Sequence, residues 1–189
     1  MKKILLFLAT ILWMFMSVAQ QVPRQQVIVE LAQATWCYYN PGAMMGIDDL
    51  LANGCDVGAI AYHNGDQFAN TASDYRNDIY YNISGYPTVK FDGVLQYLGG
   101  SYNNSMYNQY LPLYNQRIAI NSDFNIQIYG ANTGDDFTIT LVMNEVNESY
   151  ESNLVAHLVL TESNIPYSWQ GQTEVDYTER LMIPDHFGT

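Results

Sequence analysis

The chain has 189 residues, enough for one full domain and part of another, and 48% of them are hydrophobic, so a buried core is within reach. Its formal charge of −12 becomes −14 once Lys2 and Lys3 are removed with the leader described next, leaving Arg24, Arg76, Lys90, Arg117 and Arg180 against nineteen carboxylates. Such a surface repels phosphate backbones and anionic lipid, which excludes nucleic acid as a partner.

Residues 1–19 read as a signal peptide. Lys2 and Lys3 supply the positive n-region, Ile4 to Val18 is apolar apart from Thr10 and Ser17, and Ser17-Val18-Ala19 is a small-x-small cleavage pattern. The run is shorter than the roughly 20 apolar residues a membrane span needs. The mature chain, from about Gln20, is therefore expected to be exported and to carry no transmembrane segment. Its destination is the periplasm, the outer-membrane surface or the exterior.

Val27 to Leu31 is β-branched and apolar and predicts a buried strand. A loop from Ala34 to Asn40 leads into a helical stripe over Pro41–Asn53, with Asn40 as expected N-cap and Asn53-Gly54 as the stop. Val57 to Tyr62 predicts a second strand, His63-Asn64-Gly65-Asp66 a turn, and Thr71 to Tyr81 a helix. Thr88 to Phe91 and Val94 to Leu98 flank Asp92-Gly93, a two-residue hairpin signal. Asn103 to Ile118 has helical spacing despite Pro112. The order β-α-β-α-β-β-α argues for an open sheet covered by helices.

After Ile118 the pattern becomes alternating: Phe124, Ile126 and Ile128, then Phe137, Ile139, Leu141 and Met143, with Asn132 to Asp135 as a turn and Leu154 to Leu160 as a further strand. Residues 119–189 are therefore expected to form a partial immunoglobulin-like β-sandwich. A full sandwich takes about 100 residues, so the chain reads as a fragment, with Phe137, Ile139 and Leu141 on an uncovered face.

The chemistry gathers at Trp36-Cys37-Tyr38-Tyr39-Asn40-Pro41, between a buried strand and a helix N-terminus, and at Gly85-Tyr86-Pro87-Thr88 before the hairpin. A thiolate at a helix N-terminus is stabilised by the dipole and by unpaired N–H groups, which makes such a sulfur a nucleophile. Together these two segments resemble the Trp-Cys-x-x-Cys-Pro turn and the x-Pro-Thr loop of the thioredoxin fold. With His63 to Asp66, Gly85 to Gly93 and the stretch Leu160 to Gln172, the chain is more closely similar to the thioredoxin-like secreted and outer-membrane proteins of Bacteroidota, the Omp-twenty-eight-related family. The resemblance covers nearly all of the mature chain. It implies a thioredoxin-like domain over residues 20–118, a cis peptide before Pro87, and a Tyr86 backbone free to pair with an extended protein or peptide partner. Trp36, Tyr38, Tyr39, Pro41, Tyr86, Pro87 and Thr88 would then line the binding surface. The family origin also makes the glycosylation sequons Asn82-Ile83-Ser84, Asn103-Asn104-Ser105 and Asn147-Glu148-Ser149 uninformative.

Two departures weigh against ordinary redox turnover. Asn40 stands where the resolving cysteine of the motif belongs, so a mixed disulfide on Cys37 would wait for an external thiol. Leu31 stands where thioredoxins bury an acid six residues before the nucleophile, and neighbouring Glu30 faces the opposite side of the strand. Cys55 cannot replace the missing thiol: a helix of about thirteen residues, roughly 20 Å long, separates it from Cys37, and a disulfide needs Cα atoms within ~7 Å. Cys55 reads as a small buried residue.

His63, His157 and His186 carry no ligand-spaced pattern, and no phosphate loop or nucleophile elbow occurs, so no metal or cofactor is implied. His63 is expected to satisfy a loop carbonyl rather than to serve the Cys37 region. Two functions follow. One is a binding or scaffold module with a degenerate motif; the other is a monothiol thiol–disulfide oxidoreductase or isomerase, with Cys37 as nucleophile and Asn40 as a neutral stand-in.

Overall fold

The computed structural model describes residues 20–148 and 153–189. The expected signal peptide lies outside the described residues. Two units are formed, one from residues 24–120 and 153–189, the other from residues 20–23 and 121–148.

The first unit is built on a six-stranded mixed sheet. Its strands are β1 (Val27–Gln33), β2 (Val57–His63), β3 (Thr88–Phe91), β4 (Leu95–Leu98), β7 (Leu158–Glu162) and β10 (Thr178–Ile183), in the spatial order β4-β3-β1-β2-β10-β7. β1 and β2 run parallel, whereas β3 lies antiparallel to β1 and β4 antiparallel to β3. Alternation on β1 explains the layering. Val27, Val29 and Leu31 point to the core shared with Ile47, Leu50, Val89, Phe91 and Tyr110. Glu30 points the other way, where Arg76 and the Tyr81 hydroxyl hold its carboxylate.

Helix α1 (Asn40–Ala52) and helix α3 (Tyr107–Ile118) cover the core face. They meet closely at Gly46, where a Cβ would lie 2.7 Å from the Tyr110 ring. On the opposite face, α2 (Thr71–Asp74) starts with an Asn70–Ser73 capping box and continues as a π-helical segment, Tyr75–Tyr80. Buried Asn77 in that segment donates to the carbonyls of Tyr62 and His63 and ties it to the end of β2. At the β3–β4 turn, Asp92 and Gly93 both have positive φ, as the Asp-Gly signal requires.

Three sequence expectations change. Tyr39, not Asn40, occupies the N-cap of α1, with no side-chain capping bond; Asn40 is already helical and its amide turns inward. Helix α3 begins at Tyr107 rather than Asn103. Residues 119–189 do not form one consecutive sandwich. β10 joins the sheet beside β2 through the pair Thr178–Ala61, β7 pairs with β10, and β8 (Ile165–Trp169) with β9 (Gln172–Val175) makes a separate hairpin in the same unit. Trp169 and Val175 carry that hairpin into the main core, and this burial ties the C-terminal residues to the first unit.

The second unit is a ten-residue-by-ten-residue hairpin of β5 (Phe124–Thr133) and β6 (Asp136–Glu145), closed onto residues 20–23 by the Val22–Ser122 bridge. Its register puts Ile126, Ile128, Phe137, Ile139, Leu141 and Met143 on one face. All of these except Leu141, which is half-buried, are exposed.

Candidate functional site

The turn between β1 and α1 is held from three sides. From below, β2 ends in His63, fully buried, whose Nδ1 lies 2.8 Å from Asp66 Oδ2; the Gln33 amide donates to His63 Nε2 at 2.9 Å. The same Asp66 oxygen accepts the Thr35 N–H at 2.7 Å, and Asp66 Oδ1 accepts the Phe68 N–H at 3.0 Å. Burial opposes ionisation of Asp66, but the bonds from His63, Thr35 and Phe68 outweigh it and hold the carboxyl below its ordinary range. The Trp36 indole donates to the Asn64 carbonyl at 2.9 Å. The His63 ring meets no loop carbonyl, contrary to the sequence expectation; its partners are the side chains of Asp66, Gln33 and Thr178, and Asp66 in turn anchors Thr35 just before Cys37.

From the second side comes the Tyr86-Pro87 loop, whose peptide bond is cis. Cys37 is 7% exposed, and its thiol donates to the Tyr86 carbonyl at 3.3 Å. The Tyr86 N–H has no hydrogen-bond partner among the described residues. Thr88 is buried and donates to the Gly85 carbonyl at 2.7 Å, which braces the loop from within. Gly100 follows β4 and wedges between the two segments. A Cβ there would lie 2.2 Å from the Tyr39 carbonyl oxygen and 2.8 Å from Pro87 Cγ.

From the third side the β8–β9 turn reaches over. Gln170 donates its amide toward the carbonyls of Thr35 and Trp36, both at 3.4 Å. Beside it Tyr102 stacks flat on Tyr38, with ring centroids 4.3 Å apart. Gln170 falls inside the Leu160 to Gln172 stretch that carries the resemblance, but nothing in the sequence pattern gave it or Tyr102 a place at this site, because both act through long-range placement.

The helix N-terminus offers Cys37 little. Pro41 has no N–H, the Gly42 N–H donates to the Ser101 carbonyl at 2.6 Å, and the Asn40 N–H points to the Cys37 carbonyl at 3.3 Å. Asn40 is fully buried. Its amide donates to the Ala34 carbonyl at 2.8 Å, while its Oδ1 has no partner among the described residues. Leu31 is likewise fully buried in the core. Cys55 follows α1; burial and neighbouring Asp56 push its thiol up. Both cysteines are free.

What the site presents outward is aromatic. Trp36, Tyr38 and Tyr39 are 54%, 53% and 55% exposed, and Tyr86 packs edge-on against Trp36 with centroids 5.8 Å apart. Pro41 and Pro87 are buried beneath this rim. No helix among the described residues is long and apolar enough to cross a membrane.

No family model matches the chain, and no curated protein matches it. Among solved structures it is similar in fold to HBP35 of Porphyromonas gingivalis, at 15% identity and a TM-score of 0.61. That match covers 90% of this chain and 60% of the other, so the chain spans less than two thirds of that structure's length.

Proposed function

We propose that this is an exported, thioredoxin-like protein of the Bacteroidota type that binds an extended peptide or protein segment across Cys37 and the Tyr86-Pro87 loop, without acting as a disulfide reductase. The carrying observation is the rim of exposed Trp36, Tyr38 and Tyr39, with half-buried Tyr86 edge-on to Trp36, around a buried thiol that is already hydrogen-bonded to the Tyr86 carbonyl. Exposed aromatic rings beside a free backbone N–H suit an extended segment: the N–H supports strand-like pairing and the rings supply contact area. The redox half of the site is depleted. Asn40 is committed to Ala34, Leu31 is apolar, and Gly42 donates to Ser101.

The alternative, monothiol exchange, draws on one observation, the 3.3 Å approach of Cys37 Sγ to the loop where a bound segment would lie. In it the Cys37 thiolate attacks one sulfur of a disulfide, the S–S bond breaks, and the departing thiolate takes up a proton. The mixed disulfide then needs a second, external thiol to release it.

The test uses mature protein on an array of randomised short peptides. Cys37→Ser should retain the bound set and Trp36→Ala should lose it. Loss of binding in Cys37→Ser, with covalent capture of oxidised glutathione by the parent, would replace the binding module with the monothiol enzyme.

A further inference from the structure

Two Asn-Gly steps occur in the chain, Asn53-Gly54 and Asn64-Gly65, and the fold treats them differently. An asparagine followed by glycine is open to an intramolecular reaction in which the glycine nitrogen attacks the asparagine Cγ. Glycine, having no Cβ, leaves room for the ring that forms. Asn53 caps the end of α1. Its side-chain amide donates to the Asp49 carbonyl at 2.7 Å, and the Gly54 N–H donates to the Leu51 carbonyl at 3.0 Å. Both reacting groups are thus held in the helix cap.

Asn64 directly follows β2. Its N–H donates to the Gln33 carbonyl at 2.9 Å, and its own carbonyl accepts the Trp36 indole at 2.9 Å. By contrast, its side-chain amide and the Gly65 N–H have no hydrogen-bond partner among the described residues. Gly65 is exposed, and beyond its chain neighbours a Cβ there would meet nothing nearer than the Trp36 indole nitrogen, at 3.6 Å. Neither reacting group has a bond to break, and the space around the step is open.

We propose that Asn64-Gly65 is a deamidation site and that its conversion releases Trp36. The Gly65 nitrogen bonds to Asn64 Cγ, the Cγ–Nδ2 bond breaks, and the departing nitrogen takes the Gly65 proton and leaves as ammonia. Water then adds to either carbonyl of the cyclic imide. One opening gives an aspartyl residue at position 64. The other gives an isoaspartyl residue, whose main chain runs through the former side chain and is one methylene longer. Either product sets a new carboxylate two residues before Asp66, whose own carboxylate holds His63 and Thr35, and like charges oppose each other there. In the isoaspartyl form the carbonyl that receives the Trp36 indole also leaves the main chain, so the exposed indole loses its fixed acceptor. This chemistry is independent of what the rim binds.

For the test, mature protein is held in warm, mildly alkaline buffer, and peptides cut from it at intervals are read by mass spectrometry, with isoaspartate resolved by chromatography. Position 64 should convert on the order of tenfold faster than position 53, because two hydrogen bonds must break first at Asn53. In urea, where the cap is gone, the difference should close. Acrylamide quenching follows the indole: of the two tryptophans among the described residues Trp36 is exposed and Trp169 buried, so the quenchable fluorescence is that of Trp36. Its accessibility should rise in step with conversion and stay constant in Asn64→Gln, whose side chain is one methylene too long for the same ring. Equal rates at the two positions in folded protein, or no conversion at position 64 while both convert in urea, overturns the site. Conversion that leaves quenching as it is in Asn64→Gln overturns the release of Trp36.

Discussion

Replacing Asp66 by asparagine tests whether the buried network beneath the Cys37 turn holds that turn in place. The Asp66 carboxylate accepts three hydrogen bonds, from His63 Nδ1 and the Thr35 N–H on one oxygen and from the Phe68 N–H on the other. An asparagine has a single acceptor oxygen. If it keeps the His63–Thr35 side, its amide meets the Phe68 N–H, donor against donor; if it keeps Phe68, it loses both of the others. One buried donor left unpaired costs about 1–3 kcal/mol, so Asp66→Asn should destabilise the unit by about 2 kcal/mol. With a urea slope of about 2 kcal/mol per molar, the unfolding midpoint should fall by roughly 1 M. The carboxyl is held below its ordinary range, so its contribution is complete above the unfolded value of about 4 and disappears as pH falls through the lower folded one. The gap between parent and variant should therefore be full at neutral pH and should close in strong acid. Urea unfolding of mature protein, followed by circular dichroism across that pH range, reads both effects. Where the asparagine keeps Phe68 and releases Thr35, alkylation of Cys37 below the unfolding transition should also quicken. A variant that unfolds at the same urea concentration as the parent at pH 7 would show that Asp66 does not hold the turn.

Two further outcomes follow from the same geometry. Gly100→Ala puts a methyl group 2.2 Å from the Tyr39 carbonyl oxygen and 2.8 Å from Pro87 Cγ, and should cost at least the ~1–3 kcal/mol of an overpacked site, read as a lowered thermal midpoint; an unchanged midpoint would mean the loop and turn are not in contact. Asn40→Cys should let Cys37 close a disulfide under mild oxidation, leaving Cys55 as the single titratable thiol, and the loss of the Ala34 bond should be partly offset by removal of the unpaired Asn40 Oδ1. With Leu31 still in place of an acid, that variant should reduce insulin slowly, and three thiols surviving oxidation would contradict the placement of residue 40.

The first half of the chain was legible because its signals are local. Val27 to Leu31, the Pro41–Asn53 stripe and the Asp92-Gly93 turn each follow from neighbours in sequence, and each falls within a residue or two of the observed element. The cysteine turn and the Tyr86-Pro87 loop were legible for the same reason, whereas Asn40 looked like a cap because its type favours one. Its side chain is instead drawn inward by a buried carbonyl, which no local rule foresees. The C-terminal strands hid for a different reason. Positive φ at Asn164, Gln170 and Tyr177, with register shifts between Pro166 and Trp169 and between Glu179 and Leu181, breaks the two-residue period that betrays a strand. Two of their burial partners, β2 and α1, lie more than a hundred residues upstream.

That separation has a consequence for a chain made from its N-terminus. β1, β3 and β4 can zip together as soon as residue 98 is available, yet the outer edge of β2 waits for Thr178. In that interval Val57–His63 offers open backbone donors and acceptors to any strand that passes, so the nascent protein is most exposed to mispairing along that edge. Whatever guards the nascent chain must keep this seam apart until the last tenth of the sequence arrives to close it.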